Sequence, residues 1–332
     1  MTTTDTMSHW SRVRAALRGS EVDRPPISLW RHWPEEDETP TGLAAAMVRW
    51  QREYDFDLVK MMPTGTYCIE DWGASTVYEP NDHGVRTVVR YGVTEVEQWP
   101  TLEQLDVTDG YLGNQIEAVR LVAEDLAGEV PILQTVFSPL TTARKLAGDR
   151  VFADLRQHPD LFRAGLQVIA ETTARFALES LRAGADGIFF ATQCATYRAM
   201  TLAEYRSFGE AYDRIVLDAG RPQAEIVLLH AHGHDLIFDL LVDYQPDALN
   251  WHDRAAGPSL SQARARFDGA VVGGINEWET LISGPAEAIE AEIADAVAQT
   301  GGRRHIVGPG CVLSTETPPQ HVRAARDAVN RL

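Results

Sequence analysis

The segment LLHAHGHD (228–235) holds the residues best suited to chemistry. His230 and His232 are two apart at the end of an apolar run. In extended backbone that spacing turns both imidazoles to the same side. Such a pair can present two nitrogens to one metal ion, with a third donor supplied from elsewhere in the chain. Cys311, in VGPGCVLS, follows the last apolar run, and its flanking glycines allow close backbone approach. Two imidazoles and a thiolate around Zn(II) would leave a fourth position open, as in catalytic sites. On residue types alone other readings stand beside this one. The histidines could leave the strand as ordinary polar residues or bind a substrate carboxylate, and the glycines could simply form a turn.

The elements that must position these residues are short and apolar. Eight runs of strand length recur: 27–30, 57–62, 131–136, 186–191, 225–230, 247–251, 270–275 and 305–308. Most are continuous Val/Ile/Leu/Phe, the pattern of strands covered on both faces of a parallel sheet. Helical patterns lie between them at 40–54, 159–183, 201–219, 233–242, 258–266, 284–299 and 317–332. This alternation predicts an α/β fold, a (β/α)8 TIM barrel spanning residues 1–332 as one domain. A doubly wound sheet is second, and no GxGxxG follows the first run to support a dinucleotide fold. Residues 68–100 break the alternation. There TVYEPNDHGVRTVVRYGV predicts a β-hairpin after the second strand, turning at Asn81–Gly84.

Chemistry in such barrels sits at the C-terminal strand ends. The residues after successive runs are Arg31 and His32; Thr64, Tyr67, Glu70 and Asp71; Ser138; Gln193; His230, His232 and His234; His252 and Asp253; Asn276 and Glu277; and Cys311. Five of the ten histidines fall in this set, far more than scattered surface placement gives. Arg31, between Trp30 and Trp33, suits a carboxylate or phosphate. His32, Tyr67, Gln193 and Asn276 are the other substrate-binding candidates, and Glu70 and His252 join Arg31 as candidates for the chemistry itself. Cys68 and Cys194 have no histidine at ligand spacing and read as structural.

Composition bounds the partners. The 332 residues carry 30 Lys+Arg against 48 Asp+Glu, a formal charge of −18. That balance opposes non-specific nucleic-acid or membrane binding, which needs a basic face. A polar N-terminus, no apolar run of about 18 residues and three distant cysteines predict a cytoplasmic, reduced protein.

Several segments together resemble the uroporphyrinogen decarboxylase superfamily over nearly the whole chain. They are DRPPISLWRHW, YDFDLVKMMPTGTYCIEDWGA, SPLTTARKLAG, AGADGIFFATQ with TLAEYRSFGEAYDRIVL, and the closing HIVGPGCVLSTETPPQHVRAARDAV. The resemblance implies a (β/α)8 barrel with its site in the mouth, and two chemistries. True uroporphyrinogen decarboxylases resemble RQAGR after the first strand, where this chain has Arg31-His32-Trp33-Pro34-Glu35. They place an aspartate where Thr64 stands, and GHG where Gly308-Pro309-Gly310 stands. The second branch resembles corrinoid-dependent methyltransferases that methylate thiols. It implies zinc held by a His-x-Cys pair after the fifth strand and a cysteine after the eighth. His230 and Cys311 match, His232 replaces the middle cysteine, and Glu70 matches a glutamate of that branch. The leading expectation is therefore zinc-dependent methyl transfer from a corrinoid on a partner protein to a thiol. Arg31 would position an anionic group and Glu70 would orient a ligand or act as base. The alternative is a metal-free decarboxylase of a porphyrinogen or smaller carboxylic acid, with His232 or His252 handling the proton. A non-catalytic binding barrel is third. The resemblance also implies a homodimer.

Overall fold

The computed structural model describes residues 6–332; the first five residues of the polar N-terminal segment lie outside it. Seven parallel strands form one sheet: β1 (Val59–Lys60), β4 (Ile132–Phe137), β5 (Gly187–Thr192), β6 (Ile226–Ala231), β7 (Ala248–Trp251), β8 (Ala270–Ile275) and β9 (His305–Pro309). The eighth stave is the extended segment around residues 27–31. Ile27 bridges Val307 in parallel and Arg31 bridges Leu313. On its other edge the Asp57 amide donates to Ile27 O at 2.8 Å, next to β1. The sheet thus curls into a TIM-type barrel, as the alternation of runs predicts.

Strand alternation separates two cores. Phe189, Ala191, Leu228, Ala248, Val272 and Ile306 belong to one buried cluster. Their neighbours Ile188, Phe190, Leu229, Leu249, Trp251 and Val271 belong to another. The first set faces the barrel axis and the second faces the helices, because successive side chains point to opposite faces of a strand. His230 and Asn250 share the parity of Leu228 and Ala248 and therefore point inward.

Two expectations change in detail. The helix expected over 233–242 is confined to Phe238–Val242. Positive φ at Gly233 and Asp235 turns the chain after β6 and rules out helix there. In the excursion after β1, β2 (Ser75–Val77) pairs antiparallel with β3 (Thr87–Arg90). The connection is a longer loop rather than a tight turn, although Gly84 N does donate to Asn81 O at 3.1 Å. This loop folds back on the barrel: Thr315 N donates to Asp82 O at 2.7 Å, and the His83 ring lies 4.3 Å from that of Trp278. Among the described residues no helix is long and apolar enough to cross a membrane.

The closing stave is anchored by Asp57, whose side chain is fully buried. Its carboxylate accepts from Arg12 and Arg24 at 2.6 Å each, from Ile27 N at 2.9 Å, and pairs with His9 at 2.9 Å. Burial alone would raise its pKa, but His9, Arg24 and Arg12 together hold it well below the carboxylate range. The hydrogen bonds to Asp55 and Asp57 push His9 the other way, up to about 9. Removing one partner of a buried ion pair leaves the others uncompensated, so Asp57→Ala is expected to lose about 3–5 kcal/mol in urea unfolding. The raised His9 adds stability that is complete below its ordinary pKa and disappears as pH rises through about 9. The lowered Asp57 adds stability present above the carboxylate range and lost toward acid. Urea midpoints from pH 6 to 10 should therefore fall in the wild type and stay flatter in His9→Gln.

Candidate metal centre

The inward parity of β6 continues past its end, so His230 and His232 both face the mouth. Cys311 meets them from the turn after β9. Its Sγ lies 3.7 Å from His230 Nε2 and 3.5 Å from His232 Nδ1. The three donor atoms lie within 4.8 Å of one another. Zinc–ligand bond lengths and a tetrahedral angle put S and N about 3.6 Å apart. The two sulfur–nitrogen distances match that spacing, so these three side chains could hold one metal ion.

The tautomer of His230 is fixed by Asn250, which is fully buried on β7. The Asn250 amide nitrogen donates to Val272 O and Pro309 O, both at 2.9 Å. Two carbonyl partners identify that atom as nitrogen, so Asn250 Oδ1 is an acceptor. It lies 2.6 Å from His230 Nδ1, which must therefore carry the proton. The lone pair on Nε2 is left facing Cys311. An imidazole oriented through its second nitrogen is the usual support of a metal ligand. Burial lowers the His230 pKa and so favours the uncharged ring.

Glu277 braces the opposite side. Its Oε2 accepts from Gly310 N at 3.0 Å and its Oε1 lies 3.3 Å from His252 Nδ1. A Cβ at Gly310 would sit 2.8 Å from His252 Cα, so the Gly308-Pro309-Gly310 turn admits only glycine next to Cys311. His252 Nε2 is 3.2 Å from His232 Nδ1. Burial disfavours the charged His252 ring, but the Cys311 thiolate and Glu277 outweigh it and raise its pKa to about 10. Burial would likewise raise the Cys311 thiol; the surrounding imidazoles, His230 first, reverse this and lower it well below its ordinary value.

A cavity of about 180 Å³ opens over these groups. His32 and Gln193 line it with His230, His232, His252 and Cys311. The other substrate or catalytic candidates lie elsewhere. Trp30 and His32 both line the cavity, so strand alternation sends Arg31 to the other face. There its guanidinium lies 4.8 Å from the Trp33 ring centre. Tyr67 is buried between Phe137 and Phe176, and its hydroxyl donates to Thr135 O at 2.7 Å. Glu70 opens a short turn, accepts from Thr76 and lines a separate cavity with Asp37, Thr64 and Arg86. Asn276 Oδ1 accepts from the Trp278 and Glu279 amides, so its side chain shapes its own turn. His234 is exposed.

Three groups of the site escape a reading of strand ends. Asn250 and Lys60 lie within strands, with inward parity as their only signal, and His83 comes from the excursion loop.

Comparison with known proteins places the chain in a family. The model of the uroporphyrinogen decarboxylase (URO-D) family matches residues 9–332. The chain belongs to the URO-D family. Among its relatives is the methylcobamide:CoM methyltransferase MtaA of Methanosarcina barkeri, 26% identical over 96% of this chain and 97% of that protein. The uroporphyrinogen decarboxylase of Alkalilimnicola ehrlichii is 27% identical, over 97% and 93% of the two chains. Among solved structures, a methyltransferase from Methanosarcina mazei superposes with a TM-score of 0.85 at 21% identity, covering 98% of this chain and 99% of that one. That likeness establishes the shared barrel.

Asn250 ties three strand ends together, and its loss leaves buried carbonyls unpaired. Asn250→Ala is expected to lower unfolding free energy by at least about 2 kcal/mol. Asn250→Asp should cost a similar amount, because it keeps an acceptor toward His230 but loses both donors. Chemical denaturation of the two variants checks this.

Proposed function

We propose that this chain is a zinc-dependent methyltransferase, moving a methyl group from a corrinoid on a separate protein to a small-molecule thiol. The observation that carries the reading is the convergence of His230, His232 and Cys311, with both imidazoles at a zinc-like distance from the Cys311 sulfur and all three donors within 4.8 Å of one another. The URO-D relatives named as methylcobamide:CoM methyltransferases support it.

Zinc held there would lower the pKa of a bound thiol and present it as thiolate. The chain's own residues do the rest. Asn250 keeps His230 in the ligating tautomer, and Glu277 holds both the Gly310 turn and His252. Trp30, Met62, Phe137, Phe189 and Trp278 wall the cavity, exclude water and leave room for a small acceptor. At about 180 Å³ the cavity lies below the range for drug-sized ligands, far too small to enclose a tetrapyrrole. A corrinoid carried by a separate protein would supply the methyl group from outside the cavity, and the residues at the mouth would leave room only for the acceptor.

Decarboxylation draws less support. It called for Arg31 to grip a substrate carboxylate, and Arg31 faces away from the cavity, against Trp33.

Purified protein should bind about one zinc per chain, the stoichiometry of one three-ligand site. His230→Ala and Cys311→Ala should both lose the metal and thiol methylation by methylcobalamin, while far-UV circular dichroism stays unchanged. Wild-type protein that methylates thiols equally well after exhaustive chelation would sink the reading. Asn250→Ser, which shortens the support of His230, should weaken zinc affinity about 10–100-fold in chelator competition.

A further inference from the structure

A second cavity, of about 190 Å³, lies apart from the metal centre. Asp37 and Glu38 enter it from the short helix Glu36–Glu38, and Thr64 and Glu70 from the chain after β1. Arg86 comes from the start of β3 and Gln115 from the helix Gly110–Leu126. Asp37, Thr64 and Gln115 are only 5%, 7% and 5% exposed. Among the described residues Thr64 Oγ1, Gln115 Oε1 and Glu70 Oε2 have no hydrogen-bond partner. Gln115 Nε2 donates to Tyr111 O at 3.1 Å, which identifies the unpartnered atom as the amide oxygen, an acceptor. No hydrogen bond or ion pair to another side chain engages the Asp37 carboxyl group among the described residues. Burial pushes it up to about 7 against the pull of the Arg86 charge, and burial raises Glu70 as well.

Arg86 is already engaged. Its Nη1 donates to Glu38 at 2.8 Å and its Nε to the Thr76 hydroxyl at 2.9 Å, and Thr76 in turn donates to Glu70 Oε1. Three carboxyl groups thus share one guanidinium, and the groups left over are chiefly acceptors. Buried acceptors without a donor are costly. The complement is a cation with several N–H donors and no acceptor, which is the description of an ammonium group. A directly coordinated metal ion matches less well. Among the described residues only His230, His232 and Cys311 bring three ligating side chains within 4.8 Å of one another, so the carboxyl groups here do not converge on one ion. The volume lies below the range for drug-sized ligands, so the cation carries a short chain. Tyr111, 47% exposed, adds an aromatic ring to the wall, a surface that suits an ammonium or its alkyl stem.

We propose that this side cavity binds a small primary alkylammonium ion. Asp37 supplies the counter-charge, Gln115 Oε1 and Thr64 Oγ1 accept further N–H bonds, and Glu70 adds a second carboxylate. The inference does not depend on the methyl-transfer reading. The two cavities nevertheless share a wall: Pro63 and Gly65 line the mouth, and Thr64 between them lines the side cavity. An occupant would rest on the back of that wall.

Calorimetric titration of the full chain with n-butylammonium, 1,4-diaminobutane and neutral n-butanol tests this. At least one amine should bind about tenfold or more tightly than the alcohol, the scale of one charge-assisted hydrogen bond. Asp37→Asn should weaken amine binding at least about tenfold and Thr64→Val about twofold to tenfold, with alcohol binding unchanged. Glu36→Gln, on the same short helix but paired with Arg49 outside the cavity, should leave amine affinity unchanged. Amine binding should also survive chelation and Cys311→Ala, so a failure of the metal reading leaves this comparison intact. Binding that disappears with the metal but persists in Asp37→Asn would place the amine at the mouth and overturn the inference. Binding indifferent to Asp37→Asn and Thr64→Val, the result of mere attraction to an acidic chain, would overturn it too. So would equal affinity for amines and alcohol, or no amine binding at millimolar concentration. Asp37→Asn relieves an uncompensated buried carboxyl group and should melt no lower than wild type. If it fails to fold, Glu70→Gln and Thr64→Val carry the comparison, each expected to weaken amine binding and spare that of the alcohol.

Discussion

The site depends on one buried amide. Asn250 reaches across the barrel interior from β7 and joins His230 on β6 to the carbonyls of Val272 on β8 and Pro309 on β9. Its three hydrogen bonds use both amide protons and the oxygen, in a place where water cannot substitute. One interaction therefore sets the proton position on His230 and the distance between the end of β6 and the end of β9. The last strand end carries Cys311, so the same residue that orients a nitrogen donor also fixes where the sulfur stands. Glu277 repeats the arrangement one strand along, binding the Gly310 amide with one oxygen and facing His252 with the other.

This economy follows from the barrel. Parallel strands present alternate residues to the axis, and the register between strands sets the height at which each side chain appears. His230 pairs with Asn250 in the β6–β7 ladder. The hydrogen bond between their side chains is then a consequence of register and needs no loop to arrange it. The charged anchor at the other end, Asp57 with Arg12 and Arg24, closes the cylinder between residues 27–31 and β1. Without that closure the stave that carries Trp30 and His32 would be held only on its β9 side, through Ile27 and Arg31.

The same periodicity explains what could be read from sequence. The eight apolar runs, and the inward direction of His230 and His232, follow from spacing alone. The convergence of Cys311 needs only the rule that strand ends share one rim. Arg31 follows the first run but lies outside the cavity, because its neighbour His32 shares the parity of Trp30 and one of two consecutive residues must point away. Tyr67, Glu70 and Asn276 fall in turns, where no period operates and side chains settle on local partners. Lys60 was hidden for the opposite reason. It sits inside DLVKMM, where a lone lysine looks like an interruption of a strand, and only the barrel shows that the interruption faces a cavity without acids.

Charge connects these features. With a divalent cation, two neutral imidazoles and one thiolate would keep a net positive charge, whereas the two-thiolate set implied by the wider resemblance is neutral. His232 in place of that cysteine would therefore pull harder on an incoming thiol and acidify it more, but would leave the bound sulfur less electron-rich as a nucleophile. A thiolate bound at such a centre would cancel that charge. The protein side adds no carboxylate of its own: among the described residues none of the 48 acidic side chains lines this cavity, and the negative charge of the chain is kept on other surfaces.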